Sequence, residues 1–235
     1  MTPNERIKQV RDKLDELGYP LEVQAVILGQ MAKETGNFTQ LREDRYNGKN
    51  AKEYFTKKYE NKKNLGNTQE GDGYKFRGRG LIQITGRYNY DKLSKQLYEA
   101  GLVDSKDALL KNPDLLLDPK IGIEASLIYL DDKAPAAIKP DEFTQAINPN
   151  LFKNPANKKY QNDINQRREY AAKFAKDIKD DIARVDYTKS LGSWDDSNPQ
   201  MPVDVGNYNP TPTGLENPLM QSSLDDLVNK LIYQR

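Results

Sequence analysis

A carboxyl group that follows the apolar face of its helix is partly stripped of water, and Glu34 is placed in that way. It lies three residues after Met31 and seven after Ile27, on one helical stripe. Loss of water penalises the carboxylate and favours the protonated form that a general acid needs. A second carboxyl, Glu43, stands beyond the helix end in Leu41-Arg42-Glu43-Asp44-Arg45-Tyr46-Asn47. Its two neighbouring arginines would keep it ionised, as a general base must be. On spacing alone Asp44, Glu53, Glu70 and Asp72 compete for that second role.

Carboxylate chemistry also follows from what the chain lacks. It has no Cys and no His. Thiol nucleophiles, disulfides and Cys-ligated metal centres are thereby excluded, with Ser-His-Asp catalysis and the commonest zinc ligand. The chemistry that remains rests on carboxylates, hydroxyls, amides, Lys, Arg and Tyr, and no metal or cofactor is expected.

A third feature is the segment YKFRGRGLIQITGRYNY, Tyr74 to Tyr90. Gly78 and Gly80 permit close backbone approach. Leu81 to Thr85 alternates like a short strand, with Gln83 and Thr85 on one face and Ile82 and Ile84 on the other. Tyr88 and Asn89 then open the next helix. A row of amide, hydroxyl, phenol and amide suits sugar hydroxyls and N-acetyl groups, and aromatic rings suit pyranose faces.

The elements that must position these groups are mostly helices, with little sheet. Thr2-Pro3-Asn4-Glu5 is a helix start, and Ile7, Val10, Leu14 and Leu17 recur at helical spacing up to Gly18. A second helix follows Tyr19-Pro20, carries Val23, Ile27 and Met31, and stops near Gly36. Shorter or later helices are expected over 51–59, 87–100, 119–131 and 158–184. The turn-rich stretch Gly66 to Gly73 reads as a loop. From about residue 186 the chain becomes rich in Ser, Asn, Pro, Gly and Asp, around a lone Trp194. Residues 1–185 thus read as one domain, 186–221 as a polar linker or extended arm, and 222–235 as a short amphipathic helix with Leu224, Leu227 and Leu231. Such a terminal helix docks on its own domain or on a partner.

The order of the pieces closely resembles glycoside hydrolase family 19, and most of all its phage endolysin branch. The resemblance spans about residues 20–175, and Gly71 to Tyr90 is its most specific part. It implies a lysozyme-like, two-lobed helical domain with a substrate cleft. It also implies inverting hydrolysis of β-1,4 bonds between N-acetylated sugars. By motif position Glu34 resembles the acid, Glu43 the base, and Thr85 the hydroxyl that helps hold the attacking water. Gln83, Tyr88 and Asn89 resemble substrate-cleft residues, as does Asn148 of the Ile147-Asn148 pair. Arg167 or Arg168 fills the place of an arginine coupled to the catalytic carboxylates. Two departures stand out: Lys33 replaces the His that commonly precedes the acid, and the later aromatic helix is reduced to Ile128-Tyr129-Leu130.

The resemblance implies a glycan partner, bacterial peptidoglycan or chitin, cut for a phage or phage-like element by an endolysin or virion-associated lysin. A virion structural protein that keeps the fold and docks through 186–235 is the reading from another class. Net charge is +1 overall, +5 over residues 1–100 and −4 over the rest. That balance falls short of a nucleic-acid signature. No apolar run approaches the length of a membrane span, and the amino end lacks the apolar stretch of a secretory signal. Synthesis in a bacterial host cytoplasm and action at the cell wall are therefore expected.

Overall fold

A computed structural model of the protein describes residues 1–44, 50–134 and 139–190. Arg45, Tyr46 and Asn47 lie outside the described residues, and so do 191–221 of the expected arm and the whole of 222–235.

The first helix, α1 (Pro3–Glu16), opens on a reciprocal cap. Thr2 Oγ1 accepts from the Glu5 amide, and Glu5 accepts from the Thr2 amide. Next comes α2 (Leu21–Thr35), stopped by left-handed Gly36. Every residue of α2 from Val23 to Ala32 is buried, not merely the expected stripe, so this helix is the axis of the core. The last described helix, α9 (Lys158–Ser190), packs along it and contributes Ala171, Phe174, Ala175 and Ile178 to the core. It runs five residues past the expected start of the arm.

Gly29 governs how closely α2 and α9 meet. A Cβ there would lie 2.7 Å from the backbone nitrogen of Ala171, closer than real atoms pack. Only glycine allows the two backbones this contact. With Gly29 set against Ala171, Arg167, one turn before Ala171, reaches Gln30 and Glu34 just beyond Gly29. The helix crossing thus decides where the first carboxyl sits and what touches it.

The remaining helices frame this pair. Here α3 (Ala51–Tyr59) packs on the short α4 (Asp72–Lys75), and α5 (Arg87–Glu99) packs on α6 (Ala108–Lys111) and α7 (Pro119–Lys133). Helix α8 (Pro140–Ile147) lies against both α2 and α9. The expected helices at 51–59, 87–100 and 119–131 are all present. The loop expected to end at Gly73 is cut short by α4, whose opening amides, Gly71 and Gly73, donate to the Glu60 carboxylate, while Asp72 accepts from the Thr68 and Gln69 amides of the preceding loop.

The expected strand at 81–85 is not a strand. Residues 80–83 form a tight turn with Gln83 at φ +53°, closed by paired hydrogen bonds between Arg79 and Ile84. Sheet among the described residues amounts to two isolated bridges, Arg42 to Arg79 and Arg79 to Ile84. The expected sorting of side chains survives by another route. Ile82 and Ile84 are buried while Gln83 and Thr85 remain part-exposed. Alternation was a true record of inside and outside but not of backbone geometry.

Candidate active site

Glu34 is the penultimate residue of α2, with its side chain 23% exposed. The expectation of an acid set dry against apolar neighbours is corrected here. Its Oε1 accepts from the Arg167 guanidinium at 2.6 Å, and that arginine side chain is only 3% exposed. Arg167 also donates to Gln30 Oε1 at 2.8 Å and to Asp163 Oδ1 at 2.8 Å. Gln30 in turn donates to Thr144 and to the Pro140 carbonyl, which ties α8 into the network. Of the two candidate arginines, Arg167 therefore makes the carboxylate contact. Arg168 turns away to Asp141.

Lys33, which stands where the family commonly has His, does not touch the acid. Its ammonium pairs with Asp163 at 2.8 Å. Burial pushes the Asp163 carboxyl upward, but Lys33 and Arg167 outweigh it and hold the group below the usual carboxylate range. Two cations and two carboxylates thus share one cluster across α2 and α9.

Glu43 is held in an entirely different manner. Backbone bonds from the Glu43 amide to the Gly78 carbonyl, and from the Gly80 amide to the Leu41 carbonyl, pin its loop to the RGRG turn. Its Oε2 accepts from the Gly78 amide at 2.8 Å. Its Oε1 accepts from Tyr59 Oη at 3.0 Å and from Lys58 Nζ at 3.2 Å. Gly78 matters because a Cβ there would come within 3.0 Å of Glu43 Oε2 and 2.8 Å of Gln83 Oε1. Burial, then the negative charge of Glu43, pushes the Tyr59 phenol well up, so it keeps its proton and stays a donor. Glu34 adds to that push, which places Tyr59 within electrostatic reach of both carboxylates.

Among the described residues the cation beside Glu43 is Lys58 and not Arg42, one of the two arginines expected there; the other, Arg45, lies outside the described residues. Arg42 bridges Asp44 and Asp114, while buried Arg77 reaches Asp44 and the Glu43 carbonyl. Among the rival bases, Asp44 is held between those two guanidiniums, and Asp72 is buried under Arg87. Glu53 and Glu70 are exposed.

Both carboxylates line one open cleft of about 930 Å³, with Arg6, Tyr54, Lys58, Gln83 and Leu117 on its walls. Gln83 donates to the Gln40 and Gly80 carbonyls. Thr85, Tyr88 and Asn89 follow on the same segment, outside that lining. The Thr85 hydroxyl donates to the Gln83 carbonyl, and Asn89 donates to the Thr85 carbonyl. Tyr88 is 57% exposed. Asn148 caps the end of α8, half-buried, one turn after the Thr144 that meets Gln30.

The architecture can now be set against solved structures. Chitinase C from Streptomyces griseus superposes with a TM-score of 0.50 and 21% identity, over 72% of this chain and 68% of that one. A substituted form of the same chitinase C gives 0.50 and 20%, over 72% and 82%. The chain has the family 19 chitinase fold. Its sequence agrees over a shorter span with a glycosyl hydrolase family 19 domain-containing protein of Haemophilus influenzae (strain Rd). The two are 38% identical over an alignment 96 residues long, and the match covers 32% of this chain and 48% of the relative. The chain spans about half the length of that curated relative. No protein-family model matches it. The resemblance to family 19 read from the motifs is thus borne out in fold and, over that shorter span, in sequence; these relatives do not bear on the phage endolysin branch.

Sequence reasoning missed Lys58, Tyr59, Gln30 and Asp163. A signal existed for the first two, since Tyr54-Phe55-Thr56-Lys57-Lys58-Tyr59 sets aromatic and cationic residues on one short helix. Nothing local marks Gln30, which looks like any polar residue on a helix until α9 is packed against it.

Proposed function

We propose that this protein is a family 19 glycoside hydrolase of the glycan strand of bacterial peptidoglycan, cleaving β-1,4 bonds between N-acetylated sugars with inversion. The observation that carries this reading is that Glu34 and Glu43 line one cleft from unlike supports, one on a buried helix pair and the other on a hydrogen-bonded loop. In this mechanism Glu34 gives its proton to the glycosidic oxygen as the bond to the anomeric carbon breaks. Glu43 takes a proton from water, whose oxygen attacks that carbon from the opposite face. One sugar leaves with a hydroxyl in place of the bond, and the other gains a new reducing end.

Arg167 holds the acid in place from behind, while Tyr59, Lys58 and the Gly78 amide fix the base. Thr85 serves the attacking water. Gln83, Tyr88, Asn89 and Asn148 serve the sugars, the polar groups by hydrogen bonds and the exposed Tyr88 ring by stacking. In this reading the protein acts at the cell wall for a phage or phage-like element, as an endolysin or a virion-associated lysin. The residues after α9, 191–235, would then be its docking arm. Chitin is the second reading, because the solved structures that share the fold are chitinases.

Mass spectrometry of products from purified murein and from chitin, with wild type and Glu43→Gln, tests all of this together. New reducing ends on murein sugars, absent with the variant, are expected. Reducing sugar from chitin alone would favour the second reading, and undiminished turnover by Glu43→Gln would remove the base assignment.

A further inference from the structure

Lys58 Nζ stands 3.2 Å from Glu43 Oε1. A lysine that is 40% exposed, on a flexible four-carbon stem, ordinarily does little to fix a partner. This one is held by something else. Its ammonium lies 4.5 Å from the ring centre of Tyr59, 5.5 Å from that of Phe55 and 5.8 Å from that of Tyr54. Ring faces attract a cation at such distances.

The three rings are themselves fixed. Phe55 is buried, stacks on Tyr59 with planes 12° apart, and meets Tyr54 edge-on at 5.0 Å. Asn50 caps the helix that carries them, accepting from the Lys52 and Glu53 amides. The ammonium therefore sits on a rigid aromatic platform instead of sweeping through solvent.

We infer that Lys58, seated on this platform, is the positioning residue that holds Glu43 in its working orientation. The inference rests on the reading of Glu43 as the base. Together with Tyr59 Oη and the Gly78 amide, Lys58 engages both carboxylate oxygens, so that the carboxylate plane has one setting. Without it, Oε1 keeps only the phenol and Oε2 only the Gly78 amide, so the carboxylate loses its one charged partner and is held less firmly toward the attacking water. Such a loss acts on turnover and not on sugar binding, because orientation of a reacting group matters in the transition state. The neighbouring Lys57 is exposed and serves as the control.

Steady-state hydrolysis of purified murein sacculi by the full chain tests this. Lys58→Met, which keeps the apolar stem, is expected to lower kcat about tenfold or more, with KM within about twofold. Lys58→Arg should recover most of the loss, and Lys57→Met should match wild type. On a Glu43→Gln background, Lys58→Met should cost nothing further. If Glu43→Gln abolishes turnover while Lys58→Met leaves kcat intact, the positioning role is wrong and the base assignment stands. A rise in KM alone would overturn it too, by making Lys58 a sugar contact. If Lys58→Met melts early, a Lys58→Arg variant that melts like wild type yet turns over no faster than Lys58→Met would overturn it as well. Full activity in Glu43→Gln would instead remove the reading beneath the inference.

Discussion

Glu34 and Glu43 face one cleft from opposite kinds of support. Glu34 rides on a helix buried from Val23 to Ala32, locked by a buried guanidinium contributed 133 residues later. Glu43 sits on a loop between α2 and α3 and is gripped by one amide, one phenol and one ammonium. The difference teaches that the two carboxyls should fail in different ways. Damage on the Glu34 side unmakes the fold along with the site. Damage on the Glu43 side spares the fold and removes the chemistry.

The largest expected effect lies at the helix crossing. Gly29→Leu drives a side chain into the Ala171 backbone, which cannot yield, and should cost on the order of 3 kcal/mol or more. Thermal melting would show it, and a variant as stable as wild type would break the claim that this contact sets the helix spacing. Next comes Arg167→Met, which leaves Gln30, Asp163 and Glu34 without their shared donor. Removing one member of a buried charged network costs roughly 3 kcal/mol. Both the melting temperature and murein turnover should therefore fall together. Arg168→Met, whose pair with Asp141 is partly exposed and serves neither carboxylate of the site, should change stability by less than about 1 kcal/mol.

On the other side, Gly78→Ala sharpens the contrast. Its added methyl meets the ends of the Gln83 and Glu43 side chains, which can shift, and not backbone. Melting should change by no more than about 1 kcal/mol, while turnover falls about tenfold or more as Glu43 is pushed aside. A large loss of stability here would erase the distinction between the two supports.

The smallest expected effect is a pH dependence. Asp163 titrates below its ordinary range in the folded protein because Lys33 and Arg167 outweigh burial. A depressed folded value means its stabilisation is complete above the unfolded carboxyl range and is lost as pH falls through the folded one. Between about pH 5 and pH 3 the melting temperature of Asp163→Asn should therefore fall less than that of wild type. Equal slopes would show that Asp163 contributes nothing to the lock.

The same contrast explains what could be read from residues alone. The place of Glu34 on α2 was legible because a helical stripe is a local pattern, and the crossing helix was expected over 158–184. Glu43 was legible only by motif order, and Arg42, one of its two expected cationic neighbours, does not pair with it. Sequence neighbours suggested Arg42 and Arg45; Arg42 is spent on Asp44 and Asp114, and Arg45 lies outside the described residues. The ammonium that reaches Glu43 comes from 15 residues on, by way of helix α3. Residues 81–85 show the converse. Their alternation named the buried isoleucines correctly yet suggested a strand, since a tight turn with Gln83 at positive φ sorts side chains equally well. Choosing Arg167 over Arg168 needed the Gly29 contact, because one residue along a helix turns a side chain by about 100° and only packing says which way is in.

The most direct test of paired carboxylates across a water-holding gap is the stereochemistry of the fresh product. Proton NMR of the anomeric signals, recorded as a β-linked N-acetylated glycan is first cleaved, should show the α-anomer appearing before mutarotation mixes the two. Initial appearance of the β-anomer would mean a retaining reaction, and would contradict the assignment of Glu43 as the base that activates water.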